Sequence, residues 1–168
     1  GNDGTLTWTF NSGSQAFNYL ALGQELVLNY KVKVTDGSAT DSQIITIKIT
    51  GTNDGPVANN DPITNSDAIS FKQNTVTTFA ASVLTANDTD VDGGTLTVTG
   101  LGSANVQTVA TAHGSVSLNG DNIIYTPTSG YTGADQFTYW ISDGQGGSAS
   151  ATVSFTVAPV NHAPVAVA

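Results

Sequence analysis

Every second residue from Leu26 to Val34 is apolar: Leu26, Leu28, Tyr30, Val32 and Val34 point one way, and Lys31, Lys33 and Thr35 the other. A period of two is the signature of a half-buried β-strand, and a helix would scatter these side chains around its axis. The pattern recurs along the chain. Leu6, Trp8 and Phe10 alternate within 5–10, and Ile45, Ile47 and Ile49 within 44–50. Leu96 and Val98 do so within 95–99, as do Phe137, Tyr139 and Ile141, and finally Val153, Phe155 and Val157. The fold class expected is all-β, an antiparallel β-sandwich with Greek-key connections.

Turn residues separate these runs. Asp36-Gly37 and Asp143-Gly144 each follow a strand, and Asn119-Gly120-Asp121-Asn122 lies between Val116/Leu118 and Ile123–Thr126, a strong hairpin signal. Gly51-Thr-Asn-Asp-Gly-Pro56 breaks the chain after the Ile45–Ile49 strand. Phe71–Phe79 and Ala81–Leu84 are less regular and are expected to contain short strands.

The two halves repeat. Tyr30–Gly37 aligns with Phe137–Gly144, Ile45/Ile47/Ile49 with Val153/Phe155/Val157, and Asn53–Ala58 with Asn161–Ala166, at an offset of 107 to 108 residues. That spacing is too long for a solenoid repeat and suits one β-sandwich domain. The division expected is a C-terminal part of one module over 1–55, a complete module over 56–160, and a linker to a following module over 161–168.

The chain carries twelve Asp and one Glu against four Lys and no Arg, a net charge of −9. Such a surface repels nucleic acid and anionic lipid, so neither is expected as a partner, and it attracts divalent cations. There is no cysteine, which removes disulfides and thiolate chemistry. No run approaches the length of a membrane helix, so membrane insertion is not expected. The sequence reads as an internal piece of a longer protein.

The acidic charge concentrates in Asn87-Asp-Thr-Asp-Val-Asp-Gly93, where Asp88, Asp90 and Asp92 occupy alternate positions. Carboxylates this close repel one another unless a cation shares them, and hard cations bound by several oxygens, above all Ca²⁺, suit such a turn. An EF-hand is excluded, because its twelfth position would be Thr99 in place of a bidentate Glu. The bland alternative is an exposed Asx-rich turn. Asn53, Asp54, Asp36 and Asp143 are further candidate ligands, and each is also an ordinary turn or linker residue type. Asp135 reads similarly. His113 and His162 lack the partners of a zinc site or a catalytic dyad, no nucleophile–base pair is visible, and Gly144-Gln-Gly-Gly147 lies between strands. The chain is not expected to be an enzyme. Trp140 points away from the inferred core, suited to a neighbouring domain, a covering loop or a sugar ring.

Ile49-Thr-Gly-Thr-Asn-Asp-Gly-Pro-Val57 resembles the closing signature of bacterial VCBS repeats. Leu84–Gly93, His113-Gly-Ser-Val116, Ile124-Tyr-Thr-Pro127 and Gly133–Tyr139 resemble bacterial cadherin-like tandem domains. The resemblance implies Ig-like β-sandwiches repeated in large secreted adhesins of RTX type, exported by type I secretion. It implies an extracellular, cell-surface stalk rigidified by Ca²⁺ at module junctions and serving adhesion or biofilm formation, with neighbouring modules of the same polypeptide as partners. By that analogy Asn53-Asp54 would clasp the junctional ion from the linker and Asp88, Asp90 and Asp92 from the next module. Asp36 would approach it from the first module, and His162 stands where the second linker would carry Asp. The alternative is a calcium-dependent carbohydrate-binding accessory module, with glycans or another cell surface as partner and Trp140 or Tyr131 in its loops.

Overall fold

The computed structural model describes residues 9–13, 17–66 and 68–161. The chain divides into two compact units, between Thr52 and Asn53.

The first unit holds a long hairpin, β1 (Glu25–Thr35) and β2 (Thr40–Thr50), paired antiparallel from Glu25↔Thr50 to Thr35↔Thr40. The alternation predicts both strands, and β2 begins earlier than its apolar residues do. Asp36 closes the connecting loop: its Oδ1 accepts the N–H groups of Ser38 and Ala39, both at 2.8 Å. Those two donors, Ala39 first, hold its carboxyl below the usual range. Ile45, Ile47 and Ile49 share a half-buried face, but Tyr30 and Val34, expected to point inward, are 49 % and 61 % exposed. Two strands alone cannot cover a face. Thr9 and Phe10 are not in a strand, and Leu6 and Trp8 of the strand expected over 5–10 lie outside the described residues.

The second unit is a sandwich of two four-stranded sheets, ordered β3-β10-β9-β5 and β4-β8-β7-β6. Its strands are β3 (Asp61–Pro62), β4 (Thr77–Ala80), β5 (Thr97–Leu101), β6 (Thr108–Ala110), β7 (Gly114–Asn119), β8 (Asn122–Pro127), β9 (Gly133–Ser142) and β10 (Ser148–Val157). The chain passes from one sheet to the other at β3–β4, β4–β5, β5–β6 and β8–β9, the Greek-key crossing of an Ig sandwich. All pairs are antiparallel except β3 with β10.

The core lies between the sheets. Phe71 stacks on Phe155 with ring centroids 4.0 Å apart, and Phe79 and Tyr125 meet Phe71 edge-on. Val116, Leu118 and Ile123 face Phe137, Tyr139, Ile141, Val153 and Val157 across the interior. These are the inward positions that the period of two selects.

Three features depart from the sequence reading. Ala81–Leu84, expected to contain a short strand, lies in a 3-10 helix (Ala81–Asn87) that buries Ala81 and Leu84, three residues apart and so on one face. β3 and β6 are too short to show a period. The β7–β8 turn centres on Gly120-Asp121, since Asn119 and Asn122 are themselves a register pair.

Candidate metal site

Three loops of the second unit meet at one end of the sandwich: the entry segment from Asn53, the acidic loop after the 3-10 helix, and the β9–β10 turn. Their union is built from hydrogen bonds between residues far apart in sequence. The Asn53 side-chain amide donates to Asp143 Oδ2 at 2.8 Å, and the Asp54 N–H donates to Asp92 Oδ2 at 2.6 Å. Val57 and Thr89 exchange backbone hydrogen bonds in both directions, at 2.7 and 3.1 Å.

The acidic loop folds back on itself. The Asp92 N–H donates to Asp90 Oδ1 at 2.9 Å, an Asx turn, and Gly93 takes a positive φ of 78° where the loop reverses. Asp90 and Asp92 are half-buried. Asp90 Oδ2, Asp92 Oδ1 and Asn53 Oδ1 are all shielded from solvent without a hydrogen-bond donor. Buried acceptors are normally satisfied, so three unsatisfied oxygens on hydrogen-bonded loops form a coherent exception.

Asp143 behaves differently. It is 7 % exposed, and its Oδ1 accepts from Gln145 N–H at 2.7 Å and Gly147 N–H at 3.0 Å. The Asn53 amide above all, then the Gln145 and Gly147 N–H groups, hold its carboxyl below the usual range. Gly147 permits this, because a Cβ there would overlap Asp143 Oδ2 and come within 2.8 Å of Gly55 Cα. Asp143 therefore positions Asn53 and closes its own turn.

Asp88, read from sequence as a companion of Asp90 and Asp92, turns toward the core. Its Oδ1 accepts the Asn59 N–H at 2.7 Å, and both its oxygens lie within 3.2 Å of the Tyr139 hydroxyl. Among the described residues, no three acidic or histidine side chains gather in the manner of a ready-made metal centre. The donors that fit a hard cation are two carboxylates and one amide oxygen, the chemistry Ca²⁺ accepts, with backbone carbonyls or water completing the shell. Asp36 belongs to the first unit and Asp54 enters through its N–H. His162 lies outside the described residues.

Sequence reasoning passed over Asp61 and the hydroxyl of Tyr139. Asp61 precedes a proline and reads as linker, and Tyr139 reads as one more inward residue of β9. Asp135 is a structural group: Tyr125 Oη donates to its Oδ2 at 2.8 Å and Thr111 Oγ1 at 2.6 Å. His113 stacks on Tyr131 with centroids 3.9 Å apart. Trp140 is half-buried on the outer face of β9, its Nε1 without a partner.

Comparison with known proteins gives three results. None of the curated proteins compared matches the sequence. Among solved structures, an endo-fucoidan hydrolase from glycoside hydrolase family 107 is similar over 79 % of this chain and 22 % of its own, at 19 % identity and a TM-score of 0.35. The chain thus spans about a fifth of that enzyme's length. A sequence profile described as "Bacterial Ig domain" matches residues 53–156, which takes in both sheets and the entry segment. Through that stretch, more than half of its length, the chain belongs to the bacterial Ig domain family.

Proposed function

We propose that this chain is a non-catalytic structural segment, an extender of a secreted bacterial surface adhesin of the VCBS and cadherin-like kind, rigidified by Ca²⁺ at module junctions. The observation that carries this reading is the set of buried, donor-less oxygens on Asn53, Asp90 and Asp92. Asn53 is the first residue of the Ig unit, directly after the residue where the first unit ends, and the Asp54 N–H bond to Asp92 brings the acidic loop to it.

Asn53, Asp90 and Asp92 would hold the ion, with Asp143 fixing the Asn53 side chain so that Oδ1 is presented. Bound Ca²⁺ supplies the positive charge that lets the Asp90 and Asp92 carboxylates share one loop without repulsion. The chain itself does the rest. The Asp54 N–H to Asp92 bond ties the entry segment to the acidic loop, and the Val57–Thr89 bridge extends that tie. Ordering these groups stiffens the segment by which the Ig unit is joined to what precedes it. Extracellular sites of this type hold Ca²⁺ with Kd of about 10⁻⁴–10⁻³ M, matched to fluids outside the cell. No helix among the described residues is long and apolar enough to cross a membrane. Surface location belongs to the same proposal.

Small-angle scattering of the whole chain, with millimolar Ca²⁺ and with chelator, tests the stalk reading. A narrower, more extended distance distribution with Ca²⁺, lost in Asp90→Asn/Asp92→Asn, is the result expected. Identical curves in the two conditions would remove the rigidifying role.

A further inference from the structure

On the core side of the acidic loop, oxygens converge again, and the junctional reading does not use them. The Tyr139 hydroxyl lies 3.0 Å from the Asn59 carbonyl, 3.1 Å from the Leu84 carbonyl, and 3.1 and 3.2 Å from Asp88 Oδ2 and Oδ1. A phenol has one proton to donate, so these four acceptors share a single hydrogen.

Asp61 makes the imbalance larger. It is only 8 % exposed, and its Oδ2 is shielded from solvent with no hydrogen-bond partner. It faces Tyr139 and feels the Asp88 charge, and desolvation first, with Asp88 adding to it, pushes its carboxyl up. Burial, with Asp61 and Asp88 beside it, pushes the Tyr139 phenol up in the same way.

The neighbouring donors are committed elsewhere. The Asn59 N–H serves Asp88, the Asn59 amide serves the Asn87 carbonyl at 2.8 Å, and the Asn87 amide serves the Asn60 carbonyl at 3.2 Å. Lys72 is the single Lys or Arg after residue 52, and among the described residues the one ion pair, Lys48–Glu25, belongs to the first unit. Two carboxylates beside one hydroxyl and two carbonyls therefore lack a positive charge.

We propose that Asp61, Asp88, the carbonyls of Asn59 and Leu84, and the Tyr139 hydroxyl oxygen form a second, buried site for a divalent hard cation, Ca²⁺. All the donors are oxygen, which suits Ca²⁺ and disfavours zinc. The ion would bind β3, the 3-10 helix and β9 to one another, since Asp61 opens β3, Leu84 and Asp88 lie in and just after the helix, and Tyr139 is central in β9. This site stands independently of the junctional one and serves the stability of the Ig unit itself.

Isothermal titration of the whole chain with Ca²⁺ tests it. Two equivalents per chain are expected for the wild type. Asp61→Asn should lose one equivalent and keep the other, and Asp90→Asn/Asp92→Asn should lose the opposite one. Wild-type stoichiometry retained in Asp61→Asn would overturn the proposal. So would a single wild-type equivalent abolished by Asp90→Asn/Asp92→Asn. Binding that survives Asp90→Asn/Asp92→Asn and vanishes in Asp61→Asn would uphold this site and reject the junctional one. Tyr139→Phe, which keeps both carboxylates and the ring, covers the case in which Asp61→Asn fails to fold. It should weaken one equivalent roughly tenfold and dim the tyrosine-sensitised luminescence of bound Tb³⁺. Unchanged affinity and luminescence would overturn the assignment.

Discussion

Asn53 and Asp143, ninety residues apart in sequence, are joined by a hydrogen bond of 2.8 Å from the Asn53 amide to Asp143 Oδ2. The bond closes the Ig unit on itself, tying its first residue to the turn after β9. It also decides which way Asn53 faces. With the amide nitrogen committed to Asp143, the Oδ1 atom is left buried and without a donor. Asn53→Ala should cost about 1 kcal/mol of stability in chelator, the usual worth of such a bond. Urea unfolding of the two proteins measures it.

The same bond sets a pH dependence. Asp143 is held below the usual carboxylate range, first by Asn53 and then by the Gln145 and Gly147 N–H groups. An unfolded Asp titrates near ~3.9. The stabilisation is therefore complete above that value and is lost as pH falls through the lower folded one. Acid unfolding curves should show this loss, and Asn53→Ala should reduce it. An NMR titration of the Asp143 carboxyl that gave an ordinary value would contradict the assignment.

Gly147→Ala should destabilise the Ig unit by about 1–3 kcal/mol, the range for overpacking. Its Cβ would overlap Asp143 Oδ2 and approach Gly55 Cα to 2.8 Å and Pro56 Cδ to 2.9 Å, so Asp143 would have to give up its hydrogen bonds and the Gly55 backbone would have to shift. The melting temperature of the variant in chelator reads this, with Gly144→Ala as a control for positive φ alone (75°), since nothing lies near a Cβ there.

Tyr125→Phe isolates the polar link beneath the sandwich. It removes the 2.8 Å bond to Asp135 Oδ2, leaving that buried oxygen with Thr111 at 2.6 Å. A loss of about 1–2 kcal/mol is expected, because part of a buried carboxylate's satisfaction disappears while the core volume stays nearly constant. Denaturant unfolding at neutral pH is the measurement.

What the sequence reveals of this protein follows its periodicity. β1, β2, β9 and β10 are each ten or eleven residues long and each carries a run of alternation that a helix would not accommodate. β3 is two residues, one of them proline, and has no period to show. The Ala81–Asn87 helix is too short for a helical pattern, and only the burial of Ala81 and Leu84 reveals its face. The site divides in the same manner. A carboxylate triplet announces itself in the sequence, but not the direction of each side chain. Asp88 turns to Tyr139, fifty-one residues on, because the loop leaves the 3-10 helix pointing at β9. Tyr139 counts as core by its position on the strand, and nothing local discloses that its hydroxyl faces a cluster of acceptors. Tyr30 and Val34 show the converse limit: alternation marks a face to be buried without showing what buries it.

The most direct test of the central claim is a thermal melt of the whole chain in millimolar Ca²⁺, in Mg²⁺ and in chelator, repeated for Asp90→Asn/Asp92→Asn. At tenfold excess over Kd, one site adds about 1.4 kcal/mol, a rise of several degrees for a domain of this size. The account predicts that rise with Ca²⁺ and not with Mg²⁺, reduced in the double variant. An equal Ca²⁺ shift in wild type and variant, or no shift in either, would contradict it.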